Sequence, residues 1–191
     1  MADTSQPTVF DYATGTQWRL TFNRIPKTAW FCSAANVPGI TLGEASYPSP
    51  MADMFITGDK LTFDTLNITF MVDEELQNYR EIWDWLVGIG APKKHSQWTS
   101  ILSKGDGAVR TFATPDADTR TKATYDESNL YSDSTLIVYS SKNQPKVNIH
   151  FKNMFPTNLS SLEYSQELTD VEYFKATASF RYLYYEFETS T

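Results

Sequence analysis

The final thirty-five residues, Thr157 to Thr191, contain neither glycine nor proline and carry one long alternating run, Val171 to Phe187. Phe174, Ala176, Ala178, Phe180, Tyr182 and Tyr184 fall on one side of an extended chain; Lys175, Thr177, Ser179 and Arg181 fall on the other. Period two is the mark of a half-buried strand. At roughly 3.3 Å per residue, the seventeen positions would span about 55 Å, far beyond the usual strand. Such a strand suits a wall better than a compact pocket. Tyr182 to Tyr185, with Phe180 and Phe187, also puts large apolar groups on both sides, which a sheet wetted on one face should not do. Either the fold covers both faces or another subunit covers one, and with the strand's length this favours an oligomer.

The remaining pattern is mostly of the same kind. Trp18, Leu20 and Phe22 alternate with Arg19 and Thr21, and residues 17–35 read as a hairpin turned at Asn23 to Lys27. Prolines and glycines interrupt Asn36 to Pro50, predicting an irregular extended connection. Met54 to Thr57 and Leu61 to Phe63 read as short strands around a Gly58-Asp59 turn, and Leu66, Ile68, Phe70 and Val72 form the clearest strand of the N-terminal half. The period then changes to about 3.5. Leu76, Tyr79, Ile82, Trp83 and Leu86 share one face of a helix, with Asp73 as N-cap, Glu74 and Glu75 complementing the helix dipole, and Gly88, Gly90 and Pro92 ending it. Thr135 to Tyr139 and Lys146 to Lys152 flank a turn at Ser141 to Pro145, and Pro156 breaks the chain. Residues 162–166 and 171–187 are expected to pair as a final hairpin. Strands, one helix, then strands predict a mainly β fold, an antiparallel sandwich or rolled barrel with one flanking α-helix. The chain is read as one domain, 1–191, with a polar insertion at about 93–133.

Composition narrows the function. A net charge of −7 argues against a protein that grips nucleic acid, since grip requires Lys and Arg on phosphates, but it suits a surface past which DNA slides. No apolar run approaches the roughly 18 residues of a membrane span. Met1 to Pro7 lacks the basic-then-apolar order of a secretory signal, so assembly in a cytoplasm is expected. Cys32 is the only cysteine, which excludes an intrachain disulfide and a multi-cysteine zinc site; it reads as a small buried strand residue.

Nothing in the pattern demands catalysis. His95 and His150 are the only histidines, and no serine carries a nucleophile-elbow glycine pattern. Gly105-Asp106-Gly107 lacks the lysine and further glycines of a phosphate loop and reads as a turn. No enzyme activity, cofactor or metal is expected. A hydrolase using the histidines remains one alternative; another is a carbohydrate- or receptor-binding sandwich presenting Trp98, Tyr125 and Tyr131.

Several segments, in order, resemble the tail tube proteins of contractile-tailed bacteriophages, a family related to type VI secretion tube proteins and to phage tube-adaptor and baseplate proteins. They are Ala35-Asn36-Val37-Pro38-Gly39; Gly58 to Asp64; Leu66 to Val72 running into Asp73-Glu74 and the helix; Phe155 to Leu159; and the terminal strand. The resemblance covers about 18–90 and 135–187. It implies a structural virion protein whose homohexameric rings join their inner sheets into a continuous β-barrel and stack, with sheath or baseplate partners, into a tube conducting DNA without specific binding during ejection. A tube-initiator, adaptor or baseplate ring of the same fold is the alternative it leaves open. By the same resemblance the segment around Tyr47 to Gly58 reaches a neighbouring subunit or ring, making Tyr47, Pro48, Pro50, Met54 and Phe55 contact candidates. Lys175, Arg181, Tyr182, Tyr184 and Tyr185 join them from the terminal strand, and short polar and acidic residues would line the lumen.

Overall fold

The computed structural model describes residues 12–48, 50–93, 130–165 and 173–189. In chain order the elements are β1 (Trp18–Phe22), α1 (Pro26–Trp30), β2 (Cys32–Ala35), β3 (Ile40–Tyr47), β4 (Met54–Phe63), β5 (Leu66–Met71), α2 (Gln77–Gly90), β6 (Ser132–Tyr139), β7 (Pro145–Leu159), β8 (Lys175–Arg181) and β9 (Tyr184–Thr189). The mainly β, antiparallel reading holds. Seven strands form one sheet in the order β1-β6-β7-β8-β5-β2, with β9 added to β7, and β3 and β4 form a separate two-stranded ribbon.

The long strand is β7 rather than the carboxyl-terminal run. Over Val147 to Lys152 β7 pairs with β9, and over Phe155 to Leu159 it pairs with β8. Asn153, between them, takes a left-handed φ of 52°, which Asn tolerates better than most residues, and its N–H donates to Asp133 Oδ1 at 3.0 Å. The sheet bends here into two halves, β1-β6-β7-β9 and β7-β8-β5-β2. The terminal run is interrupted at the same level, at Tyr182 and Leu183. Ala176, Ala178, Phe180 and Tyr182 face the core, and beyond the interruption Tyr185 rather than Tyr184 is the more covered residue. That change of parity explains much of the two-sided apolar character: the core face passes from even to odd positions.

Between the halves lies one core. Leu20, Phe22, Leu66, Ile68, Phe70, Leu136, Ile149, Phe151 and Phe180 are buried together, and α2 contributes Ile82 and Trp85. Phe180 is central, with Phe22 at 5.4 Å and Trp85 at 6.2 Å between ring centroids. Trp85 also donates its indole N–H to the Leu130 carbonyl at 2.9 Å, satisfying the polar atom it buries.

Several local expectations are corrected. Residues 17–35 are not a hairpin: β1 pairs with β6 and β2 with β5. Pro26 instead begins α1, where a missing N–H costs no helical hydrogen bond, and Thr28 Oγ1 ties that helix to the Asn78 carbonyl at 2.9 Å. The connection 36–50 contains a true strand, β3, while Gly58-Asp59 lies inside β4 and is no turn. Pro156 does not break the chain; β7 passes through it with a register shift between Pro156 and Asn158. Of the proposed final hairpin, residues 162–165 carry no strand and 166–172 lie outside the described residues; β8 takes β5 and β7 as partners.

On the helix, Trp83 is exposed and Trp85 buried. The cap is also different. The Asp73 carboxylate accepts from the Glu74 N–H and its carbonyl from the Leu76 N–H, while the buried Asn78 side chain accepts from the N–H groups of Asp73 and Tyr79 and donates to the Met71 carbonyl at 2.7 Å. The helix therefore starts at Gln77 behind a left-handed Leu76 and, as expected, ends at Gly90, with a left-handed Ala91 as its C-cap.

Candidate assembly surfaces

Two features expose more apolar surface than the fold itself requires. The first is the β3–β4 ribbon, of which nearly every residue is exposed. Pairing Ile40 with Phe63 and Leu42 with Leu61 gives its base one apolar face; pairing Ala45 with Ile56 and Tyr47 with Met54 gives its tip another. Strand alternation puts these on opposite faces of the ribbon. The crossover is the irregularity beyond Leu42, where Gly58 lies so close to Gly43 that a Cβ on it would meet the Gly43 carbonyl oxygen at 2.6 Å. At the base, Phe63 packs on Tyr182 and Tyr185, at 5.9 and 5.7 Å, and Arg181 donates to the Phe63 carbonyl at 3.1 Å. Among the described residues the tip has no such support from its own chain, although an isolated two-stranded ribbon is at best marginal in water. Its charges, Glu44 and Asp53, are acidic.

The second feature is the half-sheet β1-β6-β7-β9, whose two outer strands each have one partner among the described residues: β1 pairs only with β6 and β9 only with β7. Among the described residues their other edges are open. Beside β1 a solvent-open groove of about 560 Å³ runs toward β2, lined by Trp18, Leu20, Phe22, Trp30 and Cys32 among others. On β9, Tyr184 is exposed and Phe187 is 62 % exposed. The face of this half-sheet turned from the core is polar and internally paired. His150 lies between Thr135 Oγ1 at 3.0 Å and Glu188 Oε2 at 2.8 Å, and Lys152 donates to Asp133 Oδ2 at 2.9 Å. The Asp133 hydrogen bond raises the Lys152 pKa.

The contact candidates are thus sorted by their surroundings. Tyr47, Pro48, Pro50, Met54 and Phe55 come together at the ribbon tip, all exposed. Lys175 and Arg181 are exposed on β8, Arg181 holding the ribbon base. Tyr184 is exposed on β9. Tyr182 is instead a core residue, in contact with Phe151 at 5.1 Å, with burial pushing its hydroxyl pKa up to about 12. Tyr185 is half-buried and donates to the Pro38 carbonyl at 3.1 Å. Sequence reasoning missed Ile40, Leu42, Ile56 and Leu61 on the ribbon, although Ile40 and Leu42 alternate with Thr41 and Gly43.

Of the residues proposed for other chemistry, only His150 and Tyr131 are described. His150 is engaged within the sheet, and His95, Trp98, Tyr125 and Gly105 to Gly107 lie outside the described residues. Tyr131 packs edge-on against Phe155 at 5.8 Å. Among the described residues no group of three or more His, Cys, Asp or Glu side chains is placed to hold a metal, and no helix is long and apolar enough to cross a membrane. Cys32 is half-buried in β2, with burial raising its thiol to about 11.

The fold is one found in contractile injection systems. The chain is similar to a chain of the anti-feeding prophage cap, the tube-terminating cap, with a TM-score of 0.51 and 14% identity over 100% of both chains. It is similar to one of the sheath/tube terminator of the PVC extracellular contractile injection system in its extended state, at 0.52 and 9% over 94% of this chain and 99% of the other. A chain of the extended PVC sheath-tube complex gives 0.51 and 12% over 100% of both. What is shared at such identities is the fold. No protein-family model matches the sequence, and no curated protein does.

Proposed function

We propose that the chain is a structural, non-enzymatic component of a contractile phage tail, closing with copies of itself into a hexameric ring around a channel. The observation that carries this is the half-sheet with two open edges. Its strands alternate in direction, β1 up, β6 down, β7 up, β9 down, so β9 of one copy meets β1 of the next antiparallel. An even number of strands per copy keeps that alternation around the whole ring. Closure also removes the exposed edges that a single copy presents.

In the ring the polar face lines the channel. Arg19, Lys146 and Lys152 on it are matched by Asp133, Glu186 and Glu188, so DNA passes a wall that is charge-balanced and neither grips nor repels it strongly. The ribbon, with Tyr47, Pro48, Pro50, Met54 and Phe55 at its tip, reaches a neighbouring copy, which covers the apolar face its own chain leaves bare. Two of the similar structures are tube terminators, which supports a second reading: a single terminal ring rather than the repeating tube.

Electron micrographs and sedimentation of the purified chain, alone and with its tail partners, test the proposal. Six-membered rings are expected. A monomer at high concentration under both conditions refutes it. Copy number per particle separates a terminal ring from a repeating tube.

A further inference from the structure

We infer that Phe187 is the anchor by which one copy holds the next, its ring entering the groove between β1 and β2 of the neighbour. This rests on the ring reading above and names the contact that makes it. Phe187 shares the core-facing side of β9 with Tyr185, their rings 5.4 Å apart, but it lies past the point where the described residues of its own chain supply cover. A bare aromatic on an open strand edge invites uncontrolled pairing, so it needs a defined partner.

The groove supplies one. It lies along the other open edge of the same half-sheet, so a strand added to β1 carries its core-side residues directly into it. Trp18, Leu20, Phe22 and Trp30 give it apolar surface beside the polar Thr16 and Ser33, and its roughly 560 Å³ admits an aromatic side chain. Trp30 is 76 % exposed in the single copy and gains cover from the same event. Burying one aromatic removes about 150–250 Å² from water.

Charge specifies the pairing from the opposite face. Residues 12–43 contain Arg19, Arg24 and Lys27 and no acid, whereas Tyr184 to Thr189 contain Glu186 and Glu188 and no base. Arg19, on β1, is exposed on the polar side of the half-sheet, and so are both glutamates on β9. Joining β9 to β1 therefore brings opposite charges together on one face while Phe187 is buried on the other. Two β1 edges or two β9 edges would oppose like charges, so head-to-tail association is favoured and the ring can close.

The test uses the full chain in two forms. Phe187→Ser should raise the concentration for half-assembly by at least about tenfold, as expected for an aromatic anchor in a pocket, with an unchanged circular dichroism spectrum. A benzophenone-bearing phenylalanine at position 187 should photocross-link, in assembled rings, to residues 16–33 of another copy. Rings that form normally with Phe187→Ser, or cross-links that fall on the same chain or on the ribbon of another copy, overturn the anchor while leaving the ring intact. Absence of rings from the unmodified chain, both alone and with its tail partners, overturns the ring reading itself.

Discussion

Gly58→Ala should loosen the ribbon without unfolding the domain. A Cβ at position 58 would lie 2.6 Å from the Gly43 carbonyl oxygen, 2.8 Å from its carbonyl carbon and 3.4 Å from the Glu44 nitrogen, all of them backbone atoms that no rotamer change can move. Ordinary contact requires the two strands to part by about 0.8 Å, a cost of about 1–3 kcal/mol on the scale of overpacked sites. The crossing lies in the exposed ribbon and none of its residues belongs to the buried core, so the penalty falls on the ribbon. Amide hydrogen exchange at Glu44 to Tyr47 and Met54 to Thr57 should accelerate by roughly five- to 150-fold, with the exchange of β5 and β8 unaltered. Gly43→Ala is the matched control: its Cβ meets only the Lys60 carbonyl oxygen, at 3.4 Å, and should change ribbon exchange far less. Equal effects from the two substitutions, or none from Gly58→Ala, would refute the claim that close approach at Gly58 sets the ribbon's crossover.

Phe180→Ala removes a fully buried ring between Phe22 and Trp85 and should cost about 3–5 kcal/mol in urea unfolding of the unassembled chain. Asn78→Ala strands the N–H groups of Asp73 and Tyr79 and the Met71 carbonyl at the start of α2; a loss of about 1–3 kcal/mol is expected by the same measurement. Burial holds the Cys32 thiol neutral, so its alkylation rate should keep rising with pH toward about 11 instead of levelling near the usual 9. The sign for stability follows: with the folded value raised, any contribution of this thiol is present below pH 9 and is lost as pH climbs through about 11, an alkaline fall that Cys32→Ala should lack.

Local patterning alone determined the secondary-structure class, the single long helix and most of the inward-facing residues. Leu20, Phe22, Ile68, Phe70, Ile149, Phe151 and Phe180 all lie where period two places them, because burying one face of a strand is a demand each segment expresses by itself. Partner choice is not local. β1 and β2 looked like a hairpin because they are adjacent in sequence, yet α1 intervenes and sends β2 to β5. Residues 171–187 looked like one strand because alternation nearly persists through Tyr182 and Leu183. The interruption opposite Asn153 and the switch of core face from Tyr182 to Tyr185 arise from the bend of β7, which the run's own residues do not encode.

The assembly surfaces divide in the same way. The ribbon tip was expected as a reaching, proline-bearing arm only through the family resemblance, whereas the pairing of β3 with β4 that builds the ribbon joins two segments no local pattern links. The open edges of β1 and β9 were beyond any linear reading, since an edge is defined by the strand that is missing beside it. Alternation settled which residues shun water; the bent sheet alone decided which were left without cover, because covering is a relation between segments distant in the chain.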